Sequence, residues 1–512
     1  MSTNKSIKSG KSKSKVMKRK SKKTTKTRSQ KTTKTRLSKT KTRLPKTKKT
    51  PSKGMAPKYK DFCKLLSKYA PKDQEYSKKI YLDNNGTTIM CKDARKTFSK
   101  WLPCLNPASN SNISKKGKEI IEKAKKLILE HCHTNDKDYT VIFTSGATES
   151  NSFIIRSIAE AYGNKLNELK KMGNTTATIK GETLNLDKLK PHIIISEVEH
   201  KSILNCAECL EKNGIIELSK IRPTIYGNIL TNQIKKEIKP NTCLISIMYA
   251  NNETGTINNI KEIGSLAKKN NIPLHSDCVQ MFAKYRINVP QNNIAAFSVS
   301  FHKLYGPKQF GLLVIKNDLI SGYNLKALIH GSQQGGLRGG TENVAAVASS
   351  IVSMKYTFTN RKKKNDKMLQ LRNLIIDRLE KKMPVCNYKK FKETTDKKKS
   401  PKTELVILGP PKERPSFYLP NTLLLSVVCH SKKFCNMKFR DKLDEKYNIM
   451  ISIGSACLTG DKKASHVLEA LKVPPIIKRG TLRISLSDCT TKKEVNYFVN
   501  SLLALLKKEK YI

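Results

Sequence analysis

Short apolar runs, each ending in polar residues and separated by stretches of helical period, constrain this chain more than any other feature. Runs at Thr140–Thr144, His192–Ser196, Cys243–Met248, Pro273–Asp277, Ala296–Ser300 and Gly311–Ile315 have the length and composition of buried strands. Between two of them, Ile260–Lys269 repeats its apolar residues at the 3.6-residue period of a covering helix. Strand and helix alternating this often predict an α/β domain with a largely parallel sheet, since parallel neighbours need a crossover between them. Beyond about Ser350 the order changes. A long helix is predicted over Asn365–Lys382, strands near Thr422–Val428, Ile449–Ile453 and Thr481–Leu486, and a last helix over Lys492–Lys508. The expected division is a tail over residues 1–78, a large α/β domain over 79–350 and a smaller α+β domain over 351–512. Asn387–Pro415, dense in Lys and Pro, reads as a surface insertion.

In sheets of this kind ligands collect beyond the carboxyl ends of the strands, and here each run is followed by residues capable of chemistry. Ser145-Gly146-Ala147-Thr148 opens a helix whose free N–H groups and Thr148 hydroxyl suit a phosphate, although an ordinary helix cap reads the same way. His200 offers an imidazole that can stack on a flat ring or move a proton, where a structural histidine is the alternative. Asn251 and Asn252 offer amides for a ring hydroxyl or a carboxylate. Asp277, followed by Gln280, offers a carboxylate able to keep a ring nitrogen protonated. Ser300-Phe301-His302-Lys303 ends in an amine that can form an imine with an aldehyde once desolvation or nearby positive charge lowers its pKa. One lysine in so lysine-rich a chain carries no weight. The order carries it: phosphate loop, imidazole, amide, carboxylate, then Ser-x-His-Lys on successive strand ends. Farther on, Cys457 lies among small residues in Gly454-Ser455-Ala456-Cys457-Leu458-Thr459-Gly460. Core cysteines sit in apolar runs, whereas a thiol flanked by small residues in a basic chain suits a nucleophile.

These segments together resemble the cysteine desulfurases of the NifS/IscS type, class-V aminotransferase-like members of the fold-type I pyridoxal-phosphate enzymes. The similar stretches are YLDNNGTT (Tyr81–Thr88), FTSGATESN (Phe143–Asn151), SEVEHKSIL (Ser196–Leu204), NNETGTI (Asn251–Ile257), HSDCVQ (His275–Gln280), SFHKLYGPK (Ser300–Lys308), GLRGGTENV (Gly336–Val344), IGSACLTG (Ile453–Gly460), SHVL (Ser465–Leu468) and LRISLS (Leu482–Ser487). They run in family order from about Tyr81 to the end. The resemblance implies a large domain with a mostly parallel, seven-stranded type of sheet, and pyridoxal 5'-phosphate as cofactor. It implies that Lys303 carries the cofactor, Asp277 pairs with its ring nitrogen, Gln280 contacts its ring hydroxyl and His200 stacks on it. Ala147, Thr148, Ser300 and His302 would hold the phosphate, and Thr341 would reach the phosphate of a neighbouring subunit in a homodimer. Asn252 and Arg483 would bind the carboxylate of L-cysteine. Lys303 or His200 would move the α-proton, and Cys457 would take the sulfur as a persulfide. Delivery to an acceptor such as an iron–sulfur scaffold follows by the same resemblance, with Cys457 then meeting the metal of the cluster.

Four departures from the family pattern stand out. Asn85-Gly86 replaces the usual Ala-Ala or Ser-Ala, and Asn106-Pro107-Ala108-Ser109 lacks the following His. Gly331-Ser332-Gln333-Gln334-Gly335 replaces a Gly-Gly-Gly-Gln-Glu stretch, and Ser487-Asp488 stands where Gly and Arg are usual. None removes a group the chemistry requires. The competing readings are a selenocysteine lyase or other class-V aminotransferase-like enzyme, separable by products, and a catalytically weak relative with a nucleic-acid-binding tail.

That tail is defined by charge. The chain carries +59 formally, and residues 1–60 hold 24 Lys or Arg with no acid, leaving +35 on the remainder. KTTKTR occurs at Lys23–Arg28 and Lys31–Arg36, and KTKTR at Lys39–Arg43. With six apolar residues in the first fifty, burial cannot offset chain entropy, so the segment is expected to be disordered. It lacks the amphipathic period of a transit peptide, and suits nucleic acid or another polyanion. Thirteen scattered cysteines, no secretory signal and no long apolar run predict a reduced, intracellular protein of the cytoplasm or, given the basic tail, the nucleus, with no membrane association. Cys206-x-x-Cys209 and His131-Cys132-His133 lack a second ligand pair at zinc spacing and are read as incidental.

Overall fold

Strands that are apolar along their whole length must be covered on both faces, and the observed sheet is built from such strands. The computed structural model describes residues 78–394, 402–454 and 465–512, all of which fall in one compact unit. The tail residues 1–77 and Cys457 lie outside the described residues. The main sheet has seven strands: β1 (Tyr139–Thr144), β2 (His192–Ser196), β3 (Glu217–Ile221), β4 (Thr242–Ser246), β5 (Leu274–Asp277), β6 (Ala296–Ser300) and β7 (Gly311–Lys316). Their order is β1-β7-β6-β5-β4-β2-β3. All pairings are parallel except those of β7, which runs antiparallel to both neighbours. Every residue of β2, β4 and β6 is buried. Helices α1 (Ala147–Lys171), α2 (Lys201–Lys212) and α3 (Ile260–Lys269) follow β1, β2 and β4.

Two histidines lie inside this sheet, each satisfied by hydroxyls of adjacent strands. His192 meets Thr242 Oγ1 at 2.8 Å and Ser219 Oγ at 3.0 Å. His275 meets Ser246 Oγ at 2.8 Å and Ser298 Oγ at 3.0 Å, and burial pushes its pKa down to about 3. These are polar stitches within the sheet. His131 likewise stacks on Phe358, with ring centroids 3.7 Å apart.

A second sheet of four strands follows, in the order β8 (Val385–Asn387), β9 (Thr403–Leu408), β10 (Thr422–Cys429), β11 (Thr481–Ser485). Helices α4 (Arg361–Glu380) and α6 (Lys492–Lys508) pack on it, sharing a core that includes Ile375, Leu405, Leu425, Leu482 and Phe498. The Asn387–Pro415 expectation is corrected here. That stretch contains the short helix α5 (Tyr388–Glu393) and β9, an interior strand whose Leu405, Val406 and Leu408 are buried. The apolar run at 405–408 is only four residues long, and its flanking Lys and Pro concealed it. The strand expected over Ile449–Ile453 is shorter, Ile449–Met450, and pairs in parallel with Ile80–Tyr81. Asp83 then bridges Ser485, which carries the start of the described chain onto β11. Among the described residues no helix is long and apolar enough to cross a membrane.

Candidate active site

The carboxyl ends of β2, β4, β5 and β6 and the start of α1 converge on a cavity of about 400 Å³. Ala147, Thr148, His200, Asn252, Asp277, Gln280, Ser300, His302, Lys303 and Arg483 all line it. Two sequence candidates stand apart. Thr341 is exposed on an irregular segment outside this cavity, and Cys457 is not among the described residues.

At the start of α1, Gly146 is the N-cap with φ 149°. A side chain at the adjacent strand start, Gly311, would lie 2.5 Å from the Gly146 Cα, so this close approach requires glycine. Ala147 N donates to Ser300 Oγ at 2.8 Å, and Thr148 is exposed in the first turn, where the helix dipole favours an anion. Glu149 and Arg338 form an ion pair at 3.0 Å, and the Gln334 amide bonds both backbone groups of Phe143. The altered 331–335 stretch therefore docks, through Gln334, on the end of β1 that leads into the phosphate-type loop of its own chain.

His200 caps α2. Its Nδ1 accepts from Ser202 N at 3.2 Å, which leaves the proton of the neutral ring on Nε2. Burial lowers its pKa, opposed by Asp277 and reinforced by Lys303, so the ring stays neutral. Behind it runs a polar chain that sequence reading missed. Asn151 Nδ2 donates to both Ser202 Oγ and Asp277 Oδ2 at 2.9 Å, and Ser202 Oγ meets His200 Nδ1 at 2.8 Å. Asp277 Oδ1 accepts from Val279 N at 3.0 Å. The carboxylate is thus buried, oriented and tied to the imidazole through Asn151.

The two neighbouring asparagines divide their work. Asn251 is 1% exposed, and its side chain accepts from Glu253 N and Thr254 N, both at 2.9 Å, while donating to Val198 O. It holds the turn. Asn252 lines the cavity, and its carbonyl accepts from Arg483 Nη1 at 3.3 Å.

Lys303 Nζ donates to Asn85 O at 2.5 Å and to Gly86 O, and Gln280 Nε2 donates to the same Asn85 carbonyl at 3.3 Å. Desolvation, followed by the Arg483 charge, depresses the Lys303 pKa to about 7, against the pull of Asp83 and Asp277. A buried amine close to neutrality is a nucleophile at ordinary pH. His302, whose pKa burial and then Lys303 push down to about 3, meets Thr87 Oγ1 at 3.0 Å. Arg483 is 3% exposed on β11. Its Nη2 donates to Asp83 Oδ1 at 2.6 Å, and its Nε has no partner among the described residues.

Three further groups went unread in the sequence. Glu199 is fully buried and accepts from Ser196 Oγ at 2.5 Å and from Met248 N at 2.9 Å, with burial raising its pKa to about 8. His466 lines the cavity with Nε2 on the Glu199 carbonyl at 2.8 Å. It lies in the SHVL segment, and a second imidazole in a quoted motif was a usable signal. Lys284 is a buried amine whose pKa desolvation lowers to about 8. Among the described residues no group of three or more His, Cys, Asp or Glu side chains is gathered for a metal.

The class-V aminotransferase family model matches residues 80–170 and 172–400. Cysteine desulfurase IscS of Dictyoglomus turgidum is 30% identical over 434 residues, covering 84% of this chain and 95% of that protein. The mitochondrial cysteine desulfurase of Saccharomyces cerevisiae is 29% identical over 430 residues, 83% of this chain and 74% of that protein. A solved NifS-like protein superposes with a TM-score of 0.67 at 26% identity, covering 84% of this chain and 99% of that one.

Proposed function

This chain belongs to the class-V aminotransferase family, among its cysteine desulfurases, and on that premise we propose that it converts L-cysteine to L-alanine, leaving the sulfur as a persulfide on Cys457. One observation carries the reading: a buried amine with its pKa near 7 shares a single cavity with a buried carboxylate, an imidazole and an arginine.

The cofactor of this family is pyridoxal 5'-phosphate, and the residues present fit it. A helix start with Thr148 and Ser300 suits its phosphate, Lys303 its aldehyde, Asp277 its ring nitrogen and the neutral His200 ring its face. Once bound, the cofactor supplies an electron sink for the substrate α-carbon. The chain's own residues do the remainder. Lys303, about half of it unprotonated near pH 7, would hold the cofactor's aldehyde and, when displaced by substrate, would carry the α-proton. Arg483 receives the substrate carboxylate with the fork geometry that Lys lacks, beside Asn252. The Cys457 thiolate forms the new S–S bond, and the electron pair of the Cβ–S bond stays on carbon, which takes up a proton to become the methyl group of alanine.

The test is product analysis of cofactor-saturated protein given L-cysteine, with alanine and protein-bound sulfur expected in equal amounts. No alanine above background would sink the reading. Amino-group exchange with a keto acid would favour the aminotransferase-like alternative instead. Homodimer formation, with Thr341 serving the partner's phosphate, sulfur delivery to an iron–sulfur scaffold, and polyanion binding through the lysines of residues 1–60 complete the proposal.

Asn151→Ala probes the polar chain. It removes the donor from one oxygen of Asp277, and an unpaired buried acceptor costs about 1–3 kcal/mol. Retention of pyridoxal phosphate on dialysis is expected to weaken by about tenfold. Unchanged affinity would show that Asp277 needs no such support.

A further inference from the structure

Arg483, the group proposed to receive the substrate carboxylate, is already paired with an acid of its own chain. Its partner Asp83 is delivered by backbone pairing: Ser485 N donates to Leu82 O at 2.7 Å and Asn84 N to Ser485 O at 3.2 Å. Residue 83 is thereby fixed two positions from Arg483 along β11. The carboxylate then reaches Nη2 at 2.6 Å.

Its position depends on residue 86. A Cβ on Gly86 would stand 2.5 Å from Asp83 Oδ2, closer than a Cβ atom approaches another heavy atom, and 3.0 Å from its Cγ, so the Asp83 carboxylate would have to move. Gly86 is not among the residues of positive φ, so its backbone needs no glycine. What this glycine provides is the missing methyl group. It is also one of the chain's own departures, standing where the family pattern has Ala.

We infer that Asp83 sets the affinity for substrate by competing with the substrate carboxylate for Arg483, a competition that Gly86 makes possible. The inference rests on the reading above, that Arg483 binds the carboxylate of L-cysteine. Charge-assisted forks hold a carboxylate through two parallel donors. Here one terminal nitrogen is committed to Asp83 and the other bonds the Asn252 carbonyl. An incoming carboxylate must therefore displace Asp83, or share the guanidinium with it at the cost of like-charge repulsion. Either course weakens binding.

Two variants test this by different routes. Gly86→Ala pushes the Asp83 carboxylate aside sterically, and Asp83→Asn removes its charge. Each is expected to lower KM for L-cysteine threefold or more, with a smaller change in kcat. Cysteamine, which has no carboxylate, should bind no more tightly to either variant, so discrimination between the two thiols widens. Arg483→Gln is the control and should raise KM at least tenfold. If KM is unchanged or raised in both variants while Arg483→Gln still raises it, the competition is overturned and the desulfurase reading stands. If the unaltered protein yields no alanine, or Arg483→Gln leaves KM as it was, the underlying reading fails and this inference fails with it.

Discussion

Lys303→Ala is expected to abolish borohydride-fixable attachment of pyridoxal phosphate and to lower L-cysteine turnover by about 10² to 10⁴-fold, the usual range for losing a positioned proton carrier. The loss should be complete for covalent attachment because the other lysine lining the cavity, Lys201, stands at the start of α2 and not beyond the end of β6, where Lys303 lies. Lys284, the other buried amine with a lowered pKa, does not line the cavity. Lys303→Arg should not rescue, since a guanidinium keeps its proton at any working pH. The same residue sets a pH dependence. Burial lowers its pKa to about 7, and only the neutral amine attacks an aldehyde. Loading of cofactor-free protein should therefore accelerate as pH rises through about 7 and level off above it. An ordinary lysine would keep accelerating toward its usual pKa of 10.5. The measurement is the rate of chromophore growth across that range, with pyridoxyl-peptide mapping after reduction. A reduced adduct in the Lys303→Ala protein, or a loading rate still climbing steeply well above pH 8, would contradict the assignment.

How much of this was legible beforehand follows from where the information lies. Strands β2 and β6 and helices α3 and α6 match their expected bounds, because a run buried on both faces is continuously apolar and an amphipathic helix keeps its period over many residues. Strand β3 was missed. Its sequence Glu-Leu-Ser-Lys-Ile is only partly buried at the sheet edge, where charged residues are usual and the apolar signal fades. The reversed direction of β7 was equally hidden, since nothing within Gly311–Ile315 encodes which way a strand runs between its neighbours. At the site, residues at strand ends were readable one by one because each carries its own chemistry. Their connections were not. Asn151, Ser202 and Asp277 lie far apart in sequence, and only the packing of α1 against α2 and β5 makes them a chain. The Asp83–Arg483 pair spans 400 positions and exists because a two-residue parallel strand brings the first described segment onto the second sheet.

Cys457→Ser should separate the two halves of the reaction. The cofactor-loaded variant is expected to keep its visible spectrum and its spectral response to L-cysteine, yet to form no persulfide and to yield alanine only at the background rate. The separation follows from where the groups are rooted. The phosphate-type loop, Asp277 and Lys303 belong to the main sheet, whereas the segment bearing Cys457 leaves and rejoins the described chain at Gly454 and Ser465. Both ends lie against one carboxylate, that of Glu253. Ser465 Oγ donates to Glu253 Oε2 at 2.7 Å, and Gly454, with φ 104°, passes so close that a Cβ there would stand 2.9 Å from the same oxygen. Glu253 follows Asn252, a residue of the cavity wall, and Cys457 is three positions after Gly454 in the sequence. A serine hydroxyl keeps the shape and loses the chemistry, because the attack on sulfur requires a thiolate. Peptide mass after reaction with L-cysteine should show one added sulfur atom on the Cys457 peptide of the unaltered protein and none in the variant. Undiminished alanine production by Cys457→Ser, or an added sulfur mapping to another cysteine in the unaltered protein, would remove Cys457 from the mechanism while leaving Lys303 in place.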